Sequence, residues 1–162
     1  MLLLFYGFGG LADLNHDKPL AEALGQMVVA WSNAEQALVS VKALLSHSHS
    51  YPEVQEAYYR DFSFKKRIGN LREEVLAWTG QGYDKAALLA AIDGLQGAAG
   101  TRNRFVHGTW LWQNGSGITY VTDHRKDTGE PDRLTPINAF DIEHHVQEVR
   151  RNAETIWALL RC

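Results

Sequence analysis

The sequence predicts an all-α fold: an antiparallel helical bundle of four to five helices with a small β-hairpin before the last helix. Three observations predict it. Apolar residues recur in steps of four and three over long stretches, the spacing that lines one face of an α-helix. One stretch alone switches to the alternation and turn chemistry of a hairpin, with Thr109–Trp112 and Ile118–Thr122 flanking Asn114-Gly115-Ser116-Gly117. A chain of 162 residues, 45% hydrophobic and 22% charged, with no internal repeat and no long linker, suits one globular domain with a sizeable core.

Taken in order, residues 1–16 form an N-terminal tail and residues 17–162 a single helical domain, with the hairpin inserted around 109–124. Met1–Gly10 is apolar but lacks a basic lead-in and is too short to cross a bilayer as a helix, so it reads as a tail or an extended packing strand. A cleaved export signal is the lesser reading, because no small-x-small pattern follows the glycines. Asp17 and Lys18 precede Pro19, a residue favoured in a first helical turn. The series Leu20, Leu24, Met27, Trp31, Ala34, Leu38, Val41, Leu45 then marks a long first helix. A short helix follows Pro52 and holds Val54, Tyr58 and Tyr59. Ser63 is placed to cap a third, with Phe64, Ile68, Leu71, Val75 and Trp78 on its buried face and Gly80 and Gly82 ending it. Asp84 caps a fourth, carrying Leu88, Ala91, Ile92, Leu95, Ala98, Arg102, Phe105 and Val106 on one face. Residues 123–136 are charged and turn-forming and read as a loop. Ile142, Val146, Val149, Ala153, Ile156 and Leu160 define the last helix.

The formal net charge of −3 argues against a protein that coats nucleic acid indiscriminately, while leaving room for a local basic surface. Cys162, the only cysteine, excludes an internal disulfide and a cysteine-based zinc site, and a reducing cytoplasm is the natural setting. His47-Ser48-His49 and His144-His145 invite a metal, but neither spacing puts two imidazoles on one helical face and no acidic cluster accompanies them, so no metal or other cofactor is expected.

The most informative stretch is Arg102-Asn103-Arg104-Phe105-Val106-His107-Gly108, where the fourth helical pattern ends. Arginine grips a phosphoryl group bidentately, and histidine is the side chain whose ordinary pKa allows proton transfer both ways near neutrality. Arg102 lies on the apolar stripe, a costly place for an unpaired charge. Asn103 and His107 stand one turn apart on one face, whereas Arg102 and His107 diverge by about 140°, so a second copy of the motif or local unwinding is needed to bring them together. Just upstream, Gly94, Gly97, Ala98 and Gly100 invite close approach of another helix, from this chain or a second copy; each helical glycine otherwise costs up to about 1 kcal/mol.

Each of these residues also has a structural reading. Glu35 edges the buried stripe of the first helix and either orients Arg102 or forms a purely structural ion pair, while His107 suits a helix C-terminus, where a cation is favoured. Lys65, Lys66, Arg67, Arg104, Arg125 and Lys126 can guide a phosphate backbone or simply form a solvated face. Trp110 and Trp112 can stack on a base or fill a core.

The Arg-x4-His motif of Arg102 and His107, with Asn103 directly after the arginine, resembles that of the HEPN superfamily, small helical bundles with ribonuclease members. Trp31-Ser32-Asn33-Ala34-Glu35, Phe64-Lys65-Lys66-Arg67-Ile68 and the hairpin before the last helix are also similar to segments of bacterial members, so the resemblance spans roughly residues 20 to 160. It implies a homodimer with two motif copies facing one cleft and a metal-independent endoribonuclease that makes a 2′,3′-cyclic phosphate and a 5′-hydroxyl. By this resemblance the catalytic residues would be Arg102, Asn103 and His107, with Glu35 and Arg104 expected to support them and Lys65, Lys66 and Arg67 expected to hold RNA. Such a protein would act as a toxin or defence effector, with an antitoxin such as a small nucleotidyltransferase as partner and no membrane attachment. The alternatives are a noncatalytic helical interaction or dimerisation module and a nucleotide-binding protein using the same cleft.

Overall fold

A computed structural model of the chain describes residues 8–11, 17–46, 50–80, 82–113, 116–123 and 133–161. Among them run five helices and four strands, in the order β1 (Phe8–Leu11), α1 (Lys18–Ser46), α2 (Tyr51–Tyr59), α3 (Phe64–Ala77), α4 (Lys85–His107), β2 (Trp110–Gln113), β3 (Ile118–Asp123), β4 (Arg133–Ile137) and α5 (Ala139–Leu160). The helical bundle with a small antiparallel element before the last helix is thus the architecture observed. Most of the tail, His47 to His49, Asn114, Gly115, Arg125, Lys126 and Cys162 lie outside the described residues.

α1, α4 and α5 begin where the sequence supplies an acceptor. Asp17 Oδ1 accepts from Leu20 N at 3.1 Å and Asp84 Oδ1 from Ala87 N at 3.0 Å, each satisfying an N–H that has no partner inside the helix. At α5 the exchange is reciprocal: Asn138 Oδ1 accepts from Asp141 N and Asp141 Oδ2 from Asn138 N, both at 3.0 Å. Ser63 occupies the cap position of α3, but its side chain makes no capping bond, and α3 stops at Ala77, one residue short of Trp78. No helix among the described residues is long and apolar enough to cross a membrane.

The chain's contacts divide into two compact units, one of Met1–Met27 with Gly100–His145, the other of Val28–Ala99 with Val146–Cys162. In the second, Leu38, Ile68, Leu71, Leu88, Ile92 and Ile156 are fully buried, as the four-three stripes require. Burial of each such side chain stabilises by about 1.5–3 kcal/mol. In the first, Leu20, Phe105, Val121 and Ile142 form the apolar centre.

The first unit also holds the sheet, which is larger than the sequence suggested. β2 and β3 form the expected hairpin, with Trp110 opposite Val121 and Gln113 opposite Ile118. β1 and β4 extend it to four antiparallel strands in the order β1-β2-β3-β4. Part of the segment assigned to a tail is therefore an edge strand, and part of the segment assigned to a loop is another. β4 contains Pro136, opposite Tyr120. Proline cannot donate to a ladder and so argues against a strand in general, but an edge strand has a side where no donor is needed. β1 carries Gly9 and Gly10, and its register with β2 shifts between Phe8 and Leu11.

Candidate functional site

The last turn of α4 is fixed from both sides, and that fixes which residues it presents. Phe105 is buried, its ring 5.9 Å edge-on from the ring of buried His145 and 6.3 Å from that of Trp110. The Trp110 indole N–H donates to the Phe105 carbonyl at 3.0 Å, satisfying one of the acceptors left over at a helix end. Helical bonding persists to the end, with Gly108 N donating to Arg104 O at 2.8 Å. Gly108 is required here by close approach, since a Cβ would stand 2.6 Å from the Thr122 carbonyl oxygen. Thr109 N then donates to Thr122 Oγ1 and Thr122 N to Thr109 O, both at 2.9 Å, joining helix end to hairpin.

With Phe105 turned inward, Asn103, Val106 and His107 are exposed and Arg102 and Arg104 are half-buried. Arg102 Nη1 donates to Asn103 Oδ1 at 3.2 Å, so two of the three predicted catalytic residues are joined directly. His107 makes no hydrogen bond among the described residues, and the carbonyl-capping role open to it is filled by Trp110. Because α4 runs unbroken through His107, local unwinding does not bring Arg102 and His107 together. Arg104 lays its guanidinium 5.4 Å from the Phe105 ring centroid, and its buried Nε has no partner among the described residues.

The other predicted residues belong to the second unit. Glu35, read as the partner of Arg102, is engaged by Arg67: its Oε1 accepts from Arg67 Nη2 at 2.8 Å and its Oε2 from the Tyr59 hydroxyl at 3.1 Å. Arg67 was expected to share an RNA-binding face with Lys65 and Lys66. Its side chain is instead only 10% exposed, and its guanidinium lies 5.1 to 5.6 Å from the ring centroids of Tyr59, Tyr58 and Phe64. Successive helical residues point about 100° apart, which is why neighbours in sequence part company here. Lys65 and Lys66 are exposed.

Burial pushes the Tyr59 phenol up to about 12, with the adjacent Glu35 charge adding to the rise. Burial also raises Tyr58, and the Arg67 guanidinium offsets part of that rise. The Tyr58 hydroxyl and Arg67 Nε have no hydrogen-bond partner among the described residues, and both side chains line a cavity of about 50 Å³ with Lys42, Asp61, Asn70 and Glu74. A polar space of that size suits one or two ordered waters.

The glycines of α4 divide into two kinds. A Cβ on Gly94 would stand 2.5 Å from the Asn152 side chain of α5, so intrachain packing accounts for it. Gly97 and Gly100 are exposed and a Cβ on either would meet nothing within 4 Å. Sequence reasoning missed Phe62, which is fully exposed before α3. Among the described residues, no group of three or more His, Cys, Asp or Glu side chains is arranged to hold a metal ion. No protein-family model, curated protein or solved structure matches the chain.

Proposed function

We propose that the chain is a metal-independent endoribonuclease of the HEPN type that works as a homodimer in the cytoplasm. The observation that supports this most is the end of α4, where Asn103 and His107 are exposed one turn apart and Arg102 donates to Asn103. In the proposed reaction the ribose 2′-oxygen attacks the adjacent phosphorus and the bond to the 5′-oxygen breaks, leaving a 2′,3′-cyclic phosphate and a 5′-hydroxyl. His107 takes the proton from the 2′-hydroxyl and, so protonated, returns it to the departing 5′-oxygen. Arg102 neutralises charge on the nonbridging oxygens, and Asn103 orients the phosphate or the histidine.

The dimer follows from geometry in this reading. On an intact helix Arg102 and His107 diverge by about 140°, so the guanidinium of one copy meets the imidazole of another. Gly97 and Gly100, where an added Cβ would meet nothing within 4 Å among the described residues, allow a second α4 to approach. An activity of this kind fits a toxin or defence effector held in check by an antitoxin such as a small nucleotidyltransferase.

Expression of wild type beside His107→Ala and Arg102→Ala, with sequencing of RNA ends bearing cyclic phosphate, tests the reading. Wild type is expected to produce such ends in EDTA, and His107→Ala to lower their yield by about 10² to 10⁴ with its melting temperature unchanged. Equal yields from wild type and both variants contradict it. The competing reading, a noncatalytic interaction module, draws on Val28 and Val29, exposed at 59% and 57% on α1.

A further inference from the structure

The connection between α2 and α3 presents a feature that the ribonuclease reading leaves unused. Phe62 is 100% exposed, although an apolar ring of this size ordinarily finds cover. Its exposure has a cause in sequence. Phe62 stands just before the cap of α3, where an apolar residue usually packs on the residue four places into the helix, and that residue here is Arg67, turned to Glu35.

The ring does not sit on a loose loop. Arg67 Nη1 donates to the carbonyls of Asp61 at 3.0 Å and Phe62 at 3.1 Å. Asn70 Nδ2 donates to Asp61 Oδ2 at 2.8 Å, and Lys66 Nζ pairs with Asp61 Oδ1 at 2.7 Å. Two bonds to backbone carbonyls and two to the Asp61 carboxylate thus hold the segment that carries the uncovered ring, which makes it a preorganised anchor.

The surrounding charge is predominantly basic. Residues 60–67 contain four basic side chains and one acidic, a net +3 in a chain whose total is −3. Arg60, Lys65 and Lys66 are exposed, and neither Arg60 nor Lys65 has an ion pair among the described residues. Lys65 and Lys66 occupy the first turn of α3, which holds no acidic residue, and the helix dipole disfavours cations there. An anionic polymer would meet both the lysines and the dipole favourably.

We propose that Phe62, Arg60, Lys65 and Lys66 form a docking surface for single-stranded nucleic acid, with one base stacked on Phe62 and the flanking phosphates on the three cations. An unpaired strand supplies a π-face and negative charge together, whereas an acidic peptide satisfies the cations and leaves the ring in water. The preference for RNA over DNA rests on the ribonuclease reading; the surface itself does not.

Fluorescence anisotropy of a labelled oligouridylate titrated with full-length chain carrying His107→Ala, across a salt series, tests the surface without cleavage. Phe62→Ala is expected to weaken binding on the order of 10- to 100-fold with little change in salt dependence, and Phe62→Trp to restore it. Lys65→Gln is expected to lower the slope of log affinity against log salt by about 0.7. Circular dichroism melting should be the same for all variants. Undiminished affinity in Phe62→Ala, no oligonucleotide binding at all, or displacement by oligoglutamate at equal concentration would overturn the proposal. RNA cleavage by wild type with a Phe62→Ala variant that binds normally sinks this surface alone. Binding that depends on Phe62 in a chain that never cleaves RNA supports the surface without the nuclease.

Discussion

Arg67 and Arg102 are the same residue type on two helices, and their surroundings differ in kind. Arg67 divides its guanidinium among the Glu35 carboxylate, two backbone carbonyls and three aromatic rings, so its geometry is determined many times over. Arg102 is half-buried and donates to Asn103, the exposed amide next to it. A guanidinium held by so many fixed partners is committed to holding α1, α2 and α3 together. In the proposed reading the bond from Arg102 to Asn103, at the exposed end of α4, gives way to a phosphate. Removing each should therefore damage a different property.

The largest effect on stability is expected from Arg67→Ala, which strands Glu35 and releases the carbonyls of Asp61 and Phe62. Breaking a buried pair from one side costs about 3 kcal/mol or more, to be read as a fall in the urea midpoint. Arg102→Ala should move the same midpoint by about 1 kcal/mol or less while removing RNA cleavage. A large loss of stability in Arg102→Ala would erase the contrast between the two arginines.

Gly108→Ala sharpens the comparison on the side of the α4 terminus. The added methyl would press on the Thr122 carbonyl, and overpacking of this sort costs about 2 kcal/mol. Cleavage should fall with it, because the turn that presents His107 is seated on that contact. Intact activity in a destabilised Gly108→Ala chain would mean that the seating of α4 on β3 is irrelevant to the site.

The Arg67 cluster has a smaller, pH-dependent signature. Tyr59 in the folded chain ionises near 12 against an ordinary value near 10, and Tyr58 is raised as well. The neutral phenol is thus favoured by folding. Its contribution is complete below about pH 10 and is lost as pH rises toward 12, because the unfolded chain ionises first. Tyr59→Phe should flatten the fall in urea midpoint across that window. An unchanged alkaline profile would contradict the burial assigned to this phenol.

The helices were legible because burial of one face imposes its period on the sequence. α1 shows this from Leu20 to Val41, and Asp84 announced its cap correctly, whereas the cap at Asp17 came only with the structure. The β4 edge strand was not legible, since Pro136 disfavours a strand and is tolerated where one side of the ladder needs no donor, whereas β1 meets in part the extended packing strand that was one of two readings of Met1–Gly10. At the candidate site, the shared face of Asn103 and His107 followed from their one-turn spacing, and their exposure came with the structure. The roles of Arg67 and Phe62 did not follow, because the first depends on a partner distant in sequence and the second on the absence of one. Lys65, Lys66 and Arg67 looked alike as a run of charge and were separated by helical rotation.

The most direct test mixes two variants that should each be inactive, Arg102→Ala and His107→Ala, refolded together so that subunits exchange. If each site joins the arginine of one copy to the histidine of the other, half of the randomly paired dimers regain one of their two sites, and cleavage returns to about one quarter of wild type. Cleavage that stays at the level of the separate variants, in a mixture verified to contain heterodimers, would contradict a site built from two copies of α4.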